Sequence, residues 1–149
     1  MTSIRPNADR SKPRSGFTLT ELMVVMVIVG VMVAMSAPSF QRAIEQSRGD
    51  IAVANLRAIW AAERLYWLEY HTYTSDITAL QTLGILDNTI PTDSSGAKGG
   101  YWYEISAASG TMTATATRVG GFGAFTVNES GDSSGTVTIS GLTITSGFQ

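Results

Sequence analysis

The stretch GFTLTELMVVMVIVGVMVAMSA, residues 16–37, decides the fold because it is apolar for almost its whole length. Residues 22–37 contain no charged side chain, and residues 17–37 match the roughly 20 residues that cross a bilayer as a helix. Apolar side chains lie on every side of such a helix, so it needs apolar surroundings throughout. We therefore predict a transmembrane helix at residues 17–38, in preference to the buried core helix of a small domain.

The residues before this helix differ from it in charge. Residues 1–16 hold four basic residues, one acidic residue and two prolines, which predicts a leader peptide outside the fold. A secretory peptidase would cut after the apolar run and release a chain that starts at Ala37. Alternatively, cleavage between Gly16 and Phe17 would keep the helix. Glu21 favours this second pattern, because a discarded segment gains nothing from a carboxylate.

These residues together resemble the processing site of type IV prepilins and type II secretion pseudopilins. The resemblance rests on the basic leader, the motif Gly16-Phe17-Thr18-Leu19-Thr20-Glu21-Leu22, the apolar run and Pro38. It covers about the first third of the chain. It implies that a prepilin peptidase and methyltransferase cleaves after Gly16 and methylates the new amine of Phe17.

Glu21 has two interpretations that the sequence leaves open. Thr18-x-x-Glu21 fits a capping box, in which the carboxylate accepts a hydrogen bond from a free backbone N–H. The resemblance implies instead that Glu21 pairs with the Phe17 amine of a neighbouring subunit, which would offset the cost of a charge within the membrane. Subunit assembly through Glu21 and Phe17 is the main functional prediction.

A second, amphipathic helix segment is predicted at residues 39–70, where charged and apolar residues interleave. Pro38 should kink the helix between the two segments, because it lacks an N–H and clashes with the preceding turn. The predicted buried face comprises Ile51, Ala54, Ala58, Ala61, Ala62 and Leu65, widened by Leu56, Ile59 and Trp60. Gly49 should weaken the helix by about 1 kcal/mol relative to Ala.

Residues 71–149 are predicted to form a head with a different periodicity. A short helix is expected at Thr74–Leu83, followed by a loop to Gly100. Strands are expected at Tyr101–Ser106, Thr111–Arg118, Phe122–Asn128 and Thr136–Ile144, with a bulge or a turn at Gly141. The predicted fold class is α+β, a long N-terminal helix packed on a small antiparallel sheet of three or four strands, as in pilins.

The residues offer little for catalysis or for a cofactor. The chain has no cysteine and one histidine, His71, and it contains no G-x-S-x-G or phosphate-binding motif, so we predict that it is not an enzyme. The acidic mature chain disfavours nucleic acid. No cofactor is predicted. Calcium is the alternative, with oxygen ligands from Asp87, Asp93, Glu129 and Asp132, although their spacing matches no tight calcium loop.

The resulting prediction is a structural subunit of a type IV pilus-like filament. The alternatives are a type II secretion pseudopilin and a minor pilin that binds DNA or a surface. The resemblance implies as partners other copies of the chain and related pilins, the peptidase, an inner-membrane assembly platform and, before assembly, membrane lipid. It places the chain in the bacterial inner membrane as a single-pass protein, and then in an extracellular pilus or a periplasmic pseudopilus.

Overall fold

The computed structural model describes residues 16–98 and 100–145 of the 149-residue chain, so most of the predicted leader lies outside the described residues. The helices are α1 (Leu19–Tyr70) and α2 (Ile77–Thr82), and the strands are β1 (Tyr101–Ala108), β2 (Thr111–Arg118), β3 (Phe122–Asn128), β4 (Ser133–Ile139) and β5 (Leu142–Thr145). The predicted α+β class, with a long helix and a small antiparallel sheet, is confirmed.

The chain forms two compact units, Met1–Pro38 and Ser39–Gln149. In the first, the described residues are the start of α1 and the three residues before it. α1 is assigned as helix across the boundary without interruption. The side chains of residues 37 and 38 are not described, so the kink at Pro38 stays a prediction.

The second unit, called the head below, combines the rest of α1 with the sheet. The strands pair in sequence order β1-β2-β3-β4-β5, and every neighbouring pair is antiparallel. The last predicted strand is in fact two, since Ser140 and Gly141 adopt positive φ angles of 49° and 77° and reverse the chain. Five strands therefore replace the predicted three or four, and of the two alternatives at Gly141 the turn is correct.

The core of the head lies between α1 and one face of the sheet. Leu56 and Ile59 of α1 are fully buried, as are Phe125 of β3 and Val137 of β4. Tyr101 of β1 stacks on Phe125 with ring centroids 5.6 Å apart. Because alternate residues of each strand face α1, the opposite face of the sheet is left to solvent.

The connection between α1 and β1 closes one end of this core. α2 is shorter than the predicted Thr74–Leu83, because Asp76 caps it by accepting hydrogen bonds from the backbone N and Oγ1 of Thr78 at 2.9 and 2.6 Å. Ile77 and Leu80 of α2 are buried against the head. The connection is therefore part of the packed unit and not merely a linker.

The face of α1 that packs on the sheet agrees only in part with the predicted one, since Leu56, Ile59 and Ala62 are buried as expected. The buried residues are Gly49, Ala52, Val53, Leu56, Ile59, Ala62 and Glu63, whereas Ile51, Ala54, Ala58, Ala61 and Leu65 are exposed. The error has a steric cause at Gly49, where an added Cβ would lie 3.0 Å from Cγ2 of Ile144 on β5. The residue expected only to weaken the helix is the one that lets β5 approach it closely.

A buried ion pair fixes the sheet on α1. Arg118 of β2 is 5% exposed and donates hydrogen bonds to both carboxylate oxygens of Glu45, at 2.9–3.1 Å. The same guanidinium donates to the carbonyl oxygens of Gly100 and Val119. Glu45 also forms an ion pair with Arg48, three residues further along α1. Such fully bonded buried pairs hold two elements in one register, because breaking them strands a charge.

Candidate functional site

The predicted site residues Gly16, Phe17 and Glu21 lie together at the start of α1. Oε2 of Glu21 accepts hydrogen bonds from the backbone N of Thr18 at 2.8 Å and from its Oγ1 at 2.9 Å. In return, the backbone N of Glu21 donates to Oγ1 of Thr18 at 3.2 Å. This reciprocal geometry is that of a capping box, and it fixes where the helix begins.

Capping occupies only one oxygen of the Glu21 carboxylate. All its hydrogen bonds within the described part of the chain go to Oε2, and Oε1 has none there. A carboxylate can accept more hydrogen bonds than these two, since each oxygen carries two lone pairs. The capping interpretation and the pairing interpretation are therefore compatible, because a cationic partner can approach Oε1 while Oε2 holds the helix start.

The bond between Gly16 and Phe17 is open to an approaching enzyme. Phe17 is 84% exposed, and an added Cβ on Gly16 would meet no atom within 4 Å. Nothing in the fold of the described residues therefore requires a glycine at position 16. A requirement for glycine would have to come from the enzyme that recognises this position.

The first turns of α1 present an apolar surface in every direction. Fourteen large apolar side chains between residues 17 and 35 are at least 49% exposed. By length and composition, α1 is the one helix among residues 16–98 and 100–145 that could cross a membrane, and its most apolar window has a mean hydropathy of 2.3 with no part buried. This surface can be satisfied by lipid or by other apolar helices.

The predicted calcium ligands do not come together as a metal site among the described residues. Oδ1 of Asp93 accepts hydrogen bonds from Oγ of Ser95 and from the backbone N atoms of Gly96 and Ser95, and Oδ1 of Asp87 accepts one from the backbone N of Thr89. These bonds lower the pKa of both carboxyls. Within the described ranges, no three His, Asp or Glu side chains gather as metal ligands would. Calcium binding remains an untested alternative.

Two polar residues, Glu63 and Arg118, are buried in the head without a clear signal in the sequence. Arg118 occupied the end of a predicted strand, and Glu63 lay among the interleaved charges of the helix, so neither differed in pattern from a solvent-exposed residue. Glu63 is fully buried, and its Oε2 accepts a hydrogen bond from the backbone N of Thr74 at 3.1 Å. The one indication of its burial in the sequence is its helical spacing from three apolar residues, at positions 52, 56 and 59.

Comparison with known proteins supports the interpretation of the N-terminal region. Residues 11–37 match the family model described as the prokaryotic N-terminal methylation motif. That match contains Gly16, Phe17 and Glu21 together with most of the apolar run. The motif found from its residues in the sequence is therefore the one that this family model defines.

Three relatives illustrate what the chain is similar to. Type II secretion system core protein G of Pseudomonas aeruginosa is 36% identical over 48% of this chain and 51% of its own length. Type IV major pilin protein PilA of Myxococcus xanthus is 36% identical over 44% and 30%, respectively. Type IV major pilin protein PilE of Neisseria gonorrhoeae is 30% identical over 68% and 56%.

The chain spans about half the length, or less, of these relatives. The likeness nevertheless extends to both classes that the sequence suggested, the pilins and the secretion core proteins. The long helix with an antiparallel sheet agrees with the architecture expected of them. The chain carries the prokaryotic N-terminal methylation motif, and its predicted resemblance to type IV pilins and type II secretion pseudopilins is confirmed.

Proposed function

We propose that the chain is a structural, non-catalytic subunit of a type IV pilus-like filament. In this proposal it is made as a membrane precursor, cleaved after Gly16, methylated at the Phe17 amine and polymerised through residues 17–38. The observation that carries the proposal is the fully exposed apolar surface of α1 directly after the matched methylation motif. Similarity to major pilins supports the same conclusion.

The exposed surface supplies the driving force for both stages of this life cycle. Fully burying one large apolar side chain stabilises by about 1.5–3 kcal/mol. Because the fourteen side chains of residues 17–35 are 49–84% exposed, removing what remains of their surface from water is favourable by roughly 13–26 kcal/mol in total. The bacterial inner membrane would hold this surface before assembly. Sister helices would cover it after extraction, so copies of the chain and related pilins are the proposed partners.

Glu21 would fix how far one apolar helix is shifted along its neighbour in the filament. Cleavage would leave a positive charge on Phe17, and a buried charge is tolerated when an opposite charge meets it in the same low-dielectric layer. Oε1 of Glu21 is available to accept a hydrogen bond from the Phe17 amine of a neighbouring subunit, while Oε2 keeps its hydrogen bonds to Thr18. Methylation preserves the charge that this contact needs.

A type II secretion pseudopilin is the second candidate function, because core protein G of Pseudomonas aeruginosa is among the relatives. Its processing and polymerisation would be the same, with an inner-membrane assembly platform as partner in both cases. The product would then be a short periplasmic filament and not a surface pilus. A deletion strain separates the two, since loss of surface filaments indicates a pilus and loss of protein secretion indicates a pseudopilus.

The decisive test is mass spectrometry of the N-terminus of the mature protein, combined with two substitutions at one position. We expect a chain that starts with methylated Phe17. Glu21→Gln keeps an oxygen that can cap Thr18 but removes the charge, whereas Glu21→Ala removes both. Both variants should reach the membrane and fail to assemble, and Thr18→Ala should assemble nearly normally.

Two results would contradict the proposal in different ways. A native chain that starts at Ala37 would show that the apolar helix is discarded. Filament yield at the wild-type level from Glu21→Gln would show that capping is the whole role of this carboxylate. Electron microscopy of sheared filaments, with the amount of membrane precursor as a control, measures the second outcome.

A further inference from the structure

The solvent-facing side of the sheet has an unusual composition. We define the outer face as the strand residues that alternate with the buried ones, for example Thr113, Thr115 and Thr117 of β2. It carries nine threonines and two serines, and Glu104 is its single charged residue. The chain from Phe17 onward has 17 charged residues, so charge is concentrated elsewhere.

Much of the hydrogen-bonding capacity of the outer face is unused. Two hydroxyl pairs form across strands, Thr126 with Ser134 at 3.0 Å and Thr138 with Thr143 at 3.3 Å. The four outer threonines of β2, at positions 111, 113, 115 and 117, form no side-chain hydrogen bond within the described residues. Their hydroxyls are spaced regularly along one central strand, about 6.6 Å apart, and can donate or accept toward a partner that lies across it.

Two aromatic side chains stand on the same face. Phe122 at the start of β3 is 83% exposed, and Trp102 of β1 is half-buried. Neither ring stacks on another aromatic ring in the described part of the chain. Among the described residues after α1, Leu83, at 49%, is the only other large apolar residue that is exposed. A phenylalanine left in water at this position therefore needs a reason other than packing.

The strand register fixes the separation of the two rings. Trp102 pairs with Thr117, Thr117 pairs with Ala124, and Phe122 lies two residues before Ala124 on β3. Two strand spacings of about 4.8 Å and two residues of about 3.3 Å place the two Cα atoms about 12 Å apart. An oligosaccharide of a few sugar units bridges such a distance and passes over β2 next to Thr117, with the hydroxyls of Thr115 and Thr113 in line to one side of its path.

We propose that the outer face, anchored by Trp102 and Phe122, binds an uncharged polysaccharide. A pyranose ring has an apolar C–H face that packs on an aromatic ring, and a rim of hydroxyls that exchange hydrogen bonds with threonine and serine. Glu104 repels an anionic polymer, and a single carboxylate on this face attracts a cationic polymer only weakly. The proposal goes beyond filament formation and does not depend on it.

The test uses the full chain in a detergent whose head group contains no sugar. Retention on insoluble cellulose and chitin, and the change in tryptophan fluorescence with cellohexaose and chitohexaose, measure binding. We expect binding that changes little between 50 and 500 mM salt, and no binding of polygalacturonate. Phe122→Ser and Trp102→Thr should each weaken binding by about tenfold, the loss typical of an aromatic anchor.

Trp67→Ala is the matched control, because that ring is 38% exposed on α1, away from the outer face. It should bind like the wild type, and circular dichroism should show that all three variants stay folded. Absence of binding to every uncharged glycan would overturn the proposal, as would equal losses in the control. Altered self-association of Phe122→Ser with unchanged glycan retention would assign the face to a second copy of the chain and would also overturn it.

Discussion

Glu63 makes the stability of the head depend on pH in an unusual direction. It is fully buried beneath the connection that leads to α2, and one backbone N–H, that of Thr74, reaches its Oε2. Oε1 has no hydrogen-bond partner among the described residues. Burial raises the pKa of this carboxyl from 4.5 to about 7, against the smaller opposing effect of the bond from Thr74.

The size of the effect follows from the pKa change. The rise in the pKa of Glu63 from 4.5 to about 7 means that folding favours the protonated form over the ionised form by about 3 kcal/mol. Between pH 4.5 and pH 7 the folded chain binds a proton at Glu63 that the unfolded chain has released. The free energy of unfolding should therefore fall as the pH rises through this window, and this contribution should be constant above and below it.

Glu63→Gln removes the titration while keeping an oxygen that can accept from Thr74. Relative to the wild type, the variant should gain about 3 kcal/mol between pH 4.5 and pH 8. Urea unfolding of the full chain in a nonionic detergent at fixed ionic strength, followed by near-ultraviolet circular dichroism, gives the free energies. Glu69→Gln, exposed on the same helix, is the control for carboxylates in general.

The comparison of the two variants decides the argument. Only Glu63→Gln should change the slope of stability against pH in this window. Parallel curves for the wild type and Glu63→Gln would refute the reasoning, since Glu63 would then titrate alike in the folded and unfolded chain. A slope of the opposite sign would mean that the ionised form is the stabilised one, and that the buried oxygen finds a donor.

Four further substitutions test the processing site and the head. Gly16→Ala should leave the melting temperature of the head unchanged and block cleavage, so the intact mass should retain the leader. Arg118→Ala should destabilise the head by about 2–3 kcal/mol, because Glu45 loses its buried partner and keeps only Arg48, and urea unfolding measures the loss. Gly135→Ala should lower the free energy of unfolding by at least about 2 kcal/mol in the same assay, since φ is 115° and the new Cβ would lie 2.1 Å from the carbonyl oxygen of Ala124 in β3. Gly110→Ala is its control: φ is 82° but the new Cβ would meet no atom within 4 Å, so the loss should be about 1 kcal/mol.

The sequence was sufficient where the structure depends on neighbours along the chain. The capping box joins Thr18 to Glu21, three residues apart, and its hydrogen bonds form as the spacing predicted. The first three strands lie within two residues of their predicted bounds, since β-branched residues and glycine turns set them locally. At Ser140-Gly141 the change of phase between apolar residues correctly indicated an interruption.

Contacts between distant residues were not accessible in the same way. Glu45 has two basic residues at helical spacing, yet its buried partner is Arg118, 73 positions away. Glu63 resembles any charged residue of an amphipathic helix until its position against the head is known. Side-chain type limits which groups can pair, but the register of the sheet decides which of them meet.

The buried face of α1, which was predicted only in part, shows that hydropathy alone does not decide which side of a helix packs. Alanines and aliphatic residues lie on both sides of the segment after Pro38, so the apolar character of a stripe cannot identify the side that is buried. Close packing decides which side is buried, because β5 approaches the backbone of α1 at Gly49, where there is no side chain to keep it away. The stripe that contains Ile51 and Leu65 stays in water in a single chain, more than half exposed at both residues. A helix with more apolar residues than its own core can bury leaves some of them exposed. Such residues make the buried face hard to predict, and they also favour association with other apolar surfaces.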